Sequence, residues 1–168
     1  MNHFASISFL LYIISFININ IPAQQNSYTF NDSIDFELII PTFLGNYQRN
    51  FYGDSAPEKL NIHWKLNLGQ GRTIISRKAG EKVWAGAGWT GQPLLVREGD
   101  SLYLVQGAYD HNLKKINANS GQIVWQYKYD DVIKGTGTIW YNKSAELPEN
   151  SLVILQGSRL GIGNYLDA

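Results

Sequence analysis

The heptad Ser101-Leu102-Tyr103-Leu104-Val105-Gln106-Gly107 returns fifty positions later as Ser151-Leu152-Val153-Ile154-Leu155-Gln156-Gly157. Four of the seven positions are identical and the other three are apolar in both copies. A polar turn precedes each copy, Glu98-Gly99-Asp100 in one and Pro148-Glu149-Asn150 in the other. A fixed internal period of this size marks a repeat architecture, in which each supersecondary unit buries its apolar face against its neighbours. The chain is therefore constrained to an array of similar units.

The match extends outward. Thr90-Gly91-Gln92-Pro93-Leu94-Leu95 and Thr136-Gly137-Thr138-Ile139-Trp140-Tyr141 both place an apolar run of strand length after Thr-Gly, at an offset of 46 residues. The longer turn 142–150 absorbs the difference from fifty, and loops tolerate insertions. A further strand type opens on Trp. Ile62-His63-Trp64-Lys65-Leu66-Asn67-Leu68-Gly69 and Ile123-Val124-Trp125-Gln126-Tyr127-Lys128-Tyr129-Asp130 each alternate an apolar face with a polar one. Between strands, Ile116-Asn117-Ala118-Asn119-Ser120-Gly121 is a polar turn whose glycine supplies a positive φ.

One complete unit thus reads as four strands, 92–97, 101–106, 113–116 and 122–129, joined by short turns into an antiparallel meander. The expected fold class is all-β, a partial β-propeller built of four-stranded antiparallel blades, because four strands recurring every ~40–50 residues are the signature of a blade. Trp64 and Trp125 are expected to pack between neighbouring blades, and Gly107, Gly121 and Gly157 to serve the repeat's turns and strand ends.

The run Leu113-Lys114-Lys115-Ile116-Asn117-Ala118-Asn119-Ser120-Gly121-Gln122-Ile123-Val124-Trp125 resembles the repeat of the pyrroloquinoline-quinone-type (quinoprotein-like) β-propellers, roughly L-x-A-L-D-A-x-T-G-x-x-x-W. It departs at Lys115, Asn117 and Ser120, where that repeat has Ala, Asp and Thr. Thr42-Phe43-Leu44-Gly45-Asn46-Tyr47-Gln48-Arg49-Asn50 resembles the F-R-G-N-x-Q-R-T opening of such proteins, with Leu44 at the usual Arg. The resemblance spans about 42–157 and speaks to fold more than to cofactor.

Residues 1–23 differ from the rest. Phe4 to Ile19 is mostly apolar, no charged side chain precedes Asp32, and Ile21-Pro22-Ala23 offers a cleavage site. This reads as a secretory signal peptide, which places the mature chain outside the cytoplasm, periplasmic or secreted. The apolar stretch is short for a spanning helix and is broken by Asn18 and Asn20, so no membrane span is expected after cleavage. The 168 residues contain no Cys, which excludes disulfides and a lipid-modified cysteine at the cleavage site. Fourteen basic and fourteen acidic residues balance. Phosphate backbones are bound through basic patches, so nucleic acid is not an expected partner.

The expected organisation is a signal peptide at 1–23, a lead-in at 24–58 with a possible outer strand, and an incomplete propeller at 59–168. Within the last, one full blade occupies about 89–130 and parts of two others flank it. Propellers hold ~4–8 blades, so the chain is expected to be an N-terminal piece of a longer ring or, alternatively, a shortened β-sheet domain that completes itself by oligomerising. The lead-in alternates at 27–30 and 34–40, and is expected either to supply an outer strand of the last blade or to be a flexible leader. Asn31-Asp32-Ser33 and Asn142-Lys143-Ser144 are glycosylation acceptors only in a eukaryotic secretory route.

The stretch 69–91 lengthens the Trp64-to-Trp125 spacing to 61 residues, beyond the period. Two readings stand. It is a partner or ligand platform using Arg72, Arg77, Trp84 and Trp89, or a long β-hairpin whose Trp belong to the core and whose Gly allow tight packing. The adjacent Asp110-His111 pair could serve acid–base chemistry, but neighbours on a strand point oppositely and turns favour Asp. Asp130-Asp131 supplies too few oxygens for calcium, which takes ~6–8. His3, His63 and His111 make no zinc triad once His3 leaves with the signal peptide. The expected function is a non-catalytic binding or scaffold module for a protein or small ligand, with no cofactor evident. Some proteins with the resembling repeat act as scaffolds in outer-membrane assembly. The alternative implied by the resemblance is part of a quinoprotein dehydrogenase, with pyrroloquinoline quinone and calcium on the propeller axis. Such enzymes often carry an adjacent Cys-Cys pair, which this chain lacks.

Overall fold

The computed structural model describes residues 27–28, 36–51, 53, 57–142, 144, 151–159 and 164–167. The signal-peptide reading, the Asn31 acceptor and most of the 142–150 turn lie outside them. The described residues are all-β, with antiparallel pairing throughout.

In chain order the strands are β1 (Ser27–Tyr28), β2 (Phe36–Ile40), β3 (Gln70–Ser76), β4 (Gly80–Ala85), β5 (Leu94–Glu98), β6 (Ser101–Gly107), β7 (Asn112–Asn117), β8 (Ile123–Lys128), β9 (Thr138–Tyr141), β10 (Leu152–Gln156) and β11 (Asn164–Asp167). Strands β5 to β8 form the four-stranded meander read from the sequence, each hydrogen-bonded to the next. Strands β9, β10 and β11 repeat its first three positions as a separate sheet.

The duplicated heptads hold matching places. Each is the second strand of its sheet, antiparallel to the strand that follows Thr-Gly. The likeness reaches single hydrogen bonds. Gln106 Nε2 donates to the Gly107 carbonyl at 2.8 Å, and Gln156 Nε2 to the Gly157 carbonyl at 2.9 Å. Both glutamines are buried, where an unsatisfied amide is costly, so each ends its strand by bonding the following backbone. Gly107 has no side chain because Ile133 fills the space a Cβ would take.

The lead-in does supply a strand, but to the first strand of the complete unit rather than to the outside of a last blade. Strand β2 pairs with β5 and extends the meander on the side away from β8, giving the order β1-β2-β5-β6-β7-β8. Phe36 and Leu38 alternate into the core, and Arg97 Nε meets Glu37 Oε2 at 3.1 Å outside it. The free edge of β5 is thereby covered, as exposed strand edges require.

The segment Ile62 to Gly69 forms no strand, contrary to its alternation. The alternation is still expressed, since Trp64, Leu66 and Leu68 are half-buried while His63, Lys65 and Asn67 are exposed. The segment finds side-chain and carbonyl partners in place of a ladder. Leu68 O accepts from Lys114 Nζ, and Trp64 Nε1 donates to Ala118 O at 2.8 Å. Gly121, at φ +74°, leaves room for the Trp64 ring, and a Cβ there would stand 2.8 Å from it. Trp64 therefore docks onto the polar turn of the unit that follows it.

The core lies between the six- and three-stranded sheets. Leu94, Val96, Val105 and Leu113 of the first pack with Ile139, Leu152 and Ile154 of the second, with Tyr129 and Ile133 from the connection. Burying each such aliphatic side chain contributes ~1.5–3 kcal/mol. Trp125 is partly buried against this cluster. The 41–51 segment binds the sheets together: Thr42 and Thr138 hydroxyls meet at 2.9 Å, Ile139 N donates to Pro41 O, and Tyr47 Oη donates to Ile139 O.

Candidate functional site

The long insertion folds as the separate β3–β4 hairpin. Gly80, at φ +68°, turns the chain, and Ser76 Oγ accepts from Ala79 N. Arg72 Nη1 and Glu81 Oε2 pair across its outer face at 2.9 Å. On the inner face Gly71 lies so close to the Tyr109 carbonyl that a Cβ would overlap it. His111 adds a tie there, its Nε2–H donating to Arg72 O at 2.9 Å.

Thr73 is the hairpin's buried anchor. Its hydroxyl donates to Asp131 Oδ2 at 3.1 Å and accepts from Arg159 Nη1 at 3.1 Å. Arg159 Nη2 also donates to Ile75 O at 2.6 Å, and Asp131 Oδ1 accepts from Val132 N. A carboxylate, a hydroxyl and a guanidinium from three separate stretches are thus joined, and the buried charge of Asp131 is satisfied.

Beyond the hairpin, residues 88–91 make a turn closed by Gly91 N donating to Gly88 O at 2.9 Å. The turn wraps the backbone of Lys134. A Cβ at Gly88 would overlap the Lys134 carbonyl, and Thr90 Oγ1 donates to that same carbonyl at 3.2 Å. This clamp fixes Lys134, whose Nζ sits 4.9 Å from the centre of the Trp84 ring. Arg159 Cζ lies 5.5 Å from the same ring, and Tyr109 packs against it at 5.2 Å with a 52° tilt. Each cation–aromatic contact is worth ~0.5–2 kcal/mol, depending on exposure.

The result is an open cleft of about 380 Å³, lined by Val83, Trp84, Ala85, Trp89, Tyr109 and Lys134. Trp89 occupies the apex of the clamping turn and is 86% exposed. Lys134 joins no ion pair among the described residues. The cleft lining thus combines two indoles, a phenol and one ammonium group.

The four residues of the anticipated platform separate. Trp84 and Trp89 meet in the cleft, whereas Arg72 and Arg77 do not line it. Arg72 is on the outer face of the hairpin and Arg77 in its exposed turn. The cation lining the cleft is Lys134, while Arg159 contacts the Trp84 ring without lining it. A signal for Lys134 exists in the repeat: aligning Thr90-Gly91 with Thr136-Gly137 sets Lys134 opposite Gly88, so the second unit carries a charge where the first needs a glycine. The stretch does contain a β-hairpin, but its Trp do not belong to the core: Trp84 is half-buried and Trp89 is exposed.

Asp110 and His111 do not form a proton-transfer pair. Asp110 Oδ2 accepts from Lys114 Nζ, and its Oδ1 from Asn112 N, while His111 turns to Arg72 at φ +71°. Burial works to raise the Asp110 pKa, but these hydrogen bonds outweigh it and hold the carboxyl below the ordinary aspartate value. Tyr129 shows the opposite case: burial, with Tyr127 beside it, pushes its phenol up to about 12. Among the described residues, no group of three or more His, Cys, Asp or Glu gathers as a metal site.

Comparison of the chain with protein-family models, curated proteins and solved structures yields no match.

Proposed function

We propose that this chain is an exported, non-catalytic binding module built on quinoprotein-like propeller blades. The blade reading draws support from Trp64, which pairs in no ladder but hydrogen-bonds Ala118 O and packs on Gly121, a contact between successive units. The matching Gln106 and Gln156 bonds support it independently.

The binding role rests on one observation. The stretch that breaks the repeat builds a cleft with Trp89 standing 86% in solvent at its lip. A side chain of that size is stable there without contributing core packing, and exposed aromatic surface beside a pocket is characteristic of binding sites. The test is to probe saccharide and peptide arrays with the wild-type protein and with Trp89→Ala. Ligands held by the wild type and lost in the variant, at unchanged melting temperature, support the role. An array on which the two proteins behave alike refutes it.

A further inference from the structure

We propose that the Trp84–Trp89 cleft binds an acidic saccharide, a pyranose ring stacked on Trp89 with its carboxylate on the Lys134 ammonium. This deepens the binding role above and rests on it. The first argument is the shape of the aromatic surface. Trp84 is already in contact with Tyr109, Lys134 and Arg159, so Trp89 supplies the cleft's free indole. A planar aromatic ligand gains most from a slot that covers both its faces. A pyranose has one face rich in C–H bonds and a rim of hydroxyls that stay hydrated. A single indole at the lip of an open cleft matches the second geometry.

The second argument is charge. Lys134 is half-buried, its backbone is clamped by Gly88 and Thr90, and its ammonium rests on an indole without a carboxylate partner among the described residues. Asp131 does not serve it, being committed to Thr73 and to Val132 N. Arg159 is held by Thr73 and Ile75. The cation left to pair with a ligand is therefore Lys134, at a fixed place in the cleft lining, and a carboxylate there forms a charge-assisted hydrogen bond. The volume, about 380 Å³, accommodates a mono- or disaccharide unit and falls near the lower end of the ~300–1,000 Å³ typical of small-ligand sites.

The experiment titrates the full chain with trigalacturonate, with neutral galactotriose and with hexaglutamate, followed by calorimetry at low salt. Trigalacturonate binds, and galactotriose binds at least about tenfold more weakly. Trp89→Ala abolishes binding. Lys134→Met weakens trigalacturonate at least about tenfold while leaving galactotriose within about twofold, and Lys134→Arg restores most of the loss. Absence of trigalacturonate binding at about 10 mM overturns the proposal. So does equal affinity for the neutral trimer, or insensitivity to Lys134→Met. Trp89-dependent binding of hexaglutamate alone overturns the saccharide assignment and leaves the binding role intact. If no array ligand depends on Trp89 either, both fail together.

Discussion

Replacing Gly121 by Ala should show how far the packing of Trp64 on the following turn holds the units together. Two costs add. Gly121 sits at φ +74°, where a Cβ costs ~1–2 kcal/mol. The new methyl also stands 2.8 Å from Trp64 Cδ2 and Cε3, so the ring must move, and overpacking of this kind costs ~1–3 kcal/mol. The expected loss is therefore about 2–5 kcal/mol. Trp64→Ala alone removes the ring and its bond to Ala118 O, an aromatic truncation of a half-buried site, at ~2–4 kcal/mol. In the double variant the overlap has nothing to push against, leaving only the backbone term from Gly121. The double variant should then be less destabilised than the sum of the singles by ~1–3 kcal/mol. Urea unfolding followed by tyrosine and tryptophan fluorescence, with all four proteins in one cycle, measures this directly. Additive losses, within about 0.5 kcal/mol, would refute the docking argument, because distant sites add and contacting ones do not.

Tyr129 carries a buried hydroxyl that meets no hydrogen-bond partner among the described residues, so Tyr129→Phe should raise stability at neutral pH by ~1 kcal/mol in thermal unfolding. Its phenol is raised from 10.0 to about 12, so its contribution is present below pH 10 and is lost as pH climbs through about 12; the phenylalanine variant should flatten that alkaline limb. Asp110 works at the acid end: its carboxyl lies below 3.8 in the fold, so stability is full above that value and falls as pH drops through the lowered pKa, and Asp110→Asn should blunt this acid limb in pH-dependent melting. A binding module without quinone chemistry should show no shift in melting temperature on adding pyrroloquinoline quinone with calcium, since a ligand stabilises only the state that binds it; a concentration-dependent rise would favour the dehydrogenase alternative.

Much of the architecture was legible because strands announce themselves locally. The heptads at 101–107 and 151–157 alternate, carry the same terminal Gln-Gly and follow the same turns, and both become second strands. The meander β5 to β8 differs from the reading by only a residue or two at its ends. Alternation failed at Ile62 to Gly69 for a physical reason. Period-two burial records which side of an extended chain faces the protein, and it does not record whether a neighbouring strand supplies a ladder. Trp64, Leu66 and Leu68 turn inward as read, yet the segment is held through Ala118 and Lys114. The position of β2 was equally hidden, because an alternating strand fits any open edge of matching length.

The cleft divides along the same line. Trp84, Trp89 and the crowd of glycines around them stand out in the sequence because they interrupt a repeat. Arg72 and Arg77 stand near them in the chain but not in space, since the hairpin sends one outward and the other to its tip.

The sequence by itself determined an all-β, cysteine-free chain of recurring antiparallel units, because hydrophobic alternation, turn residues and internal repetition are local properties written along one dimension. Only the tertiary structure decided which charges meet which rings. Lys134 and Arg159 reach Trp84 from 50 and 75 residues downstream, through a glycine clamp and a buried threonine, and proximity across such separations depends on how the sheets pack.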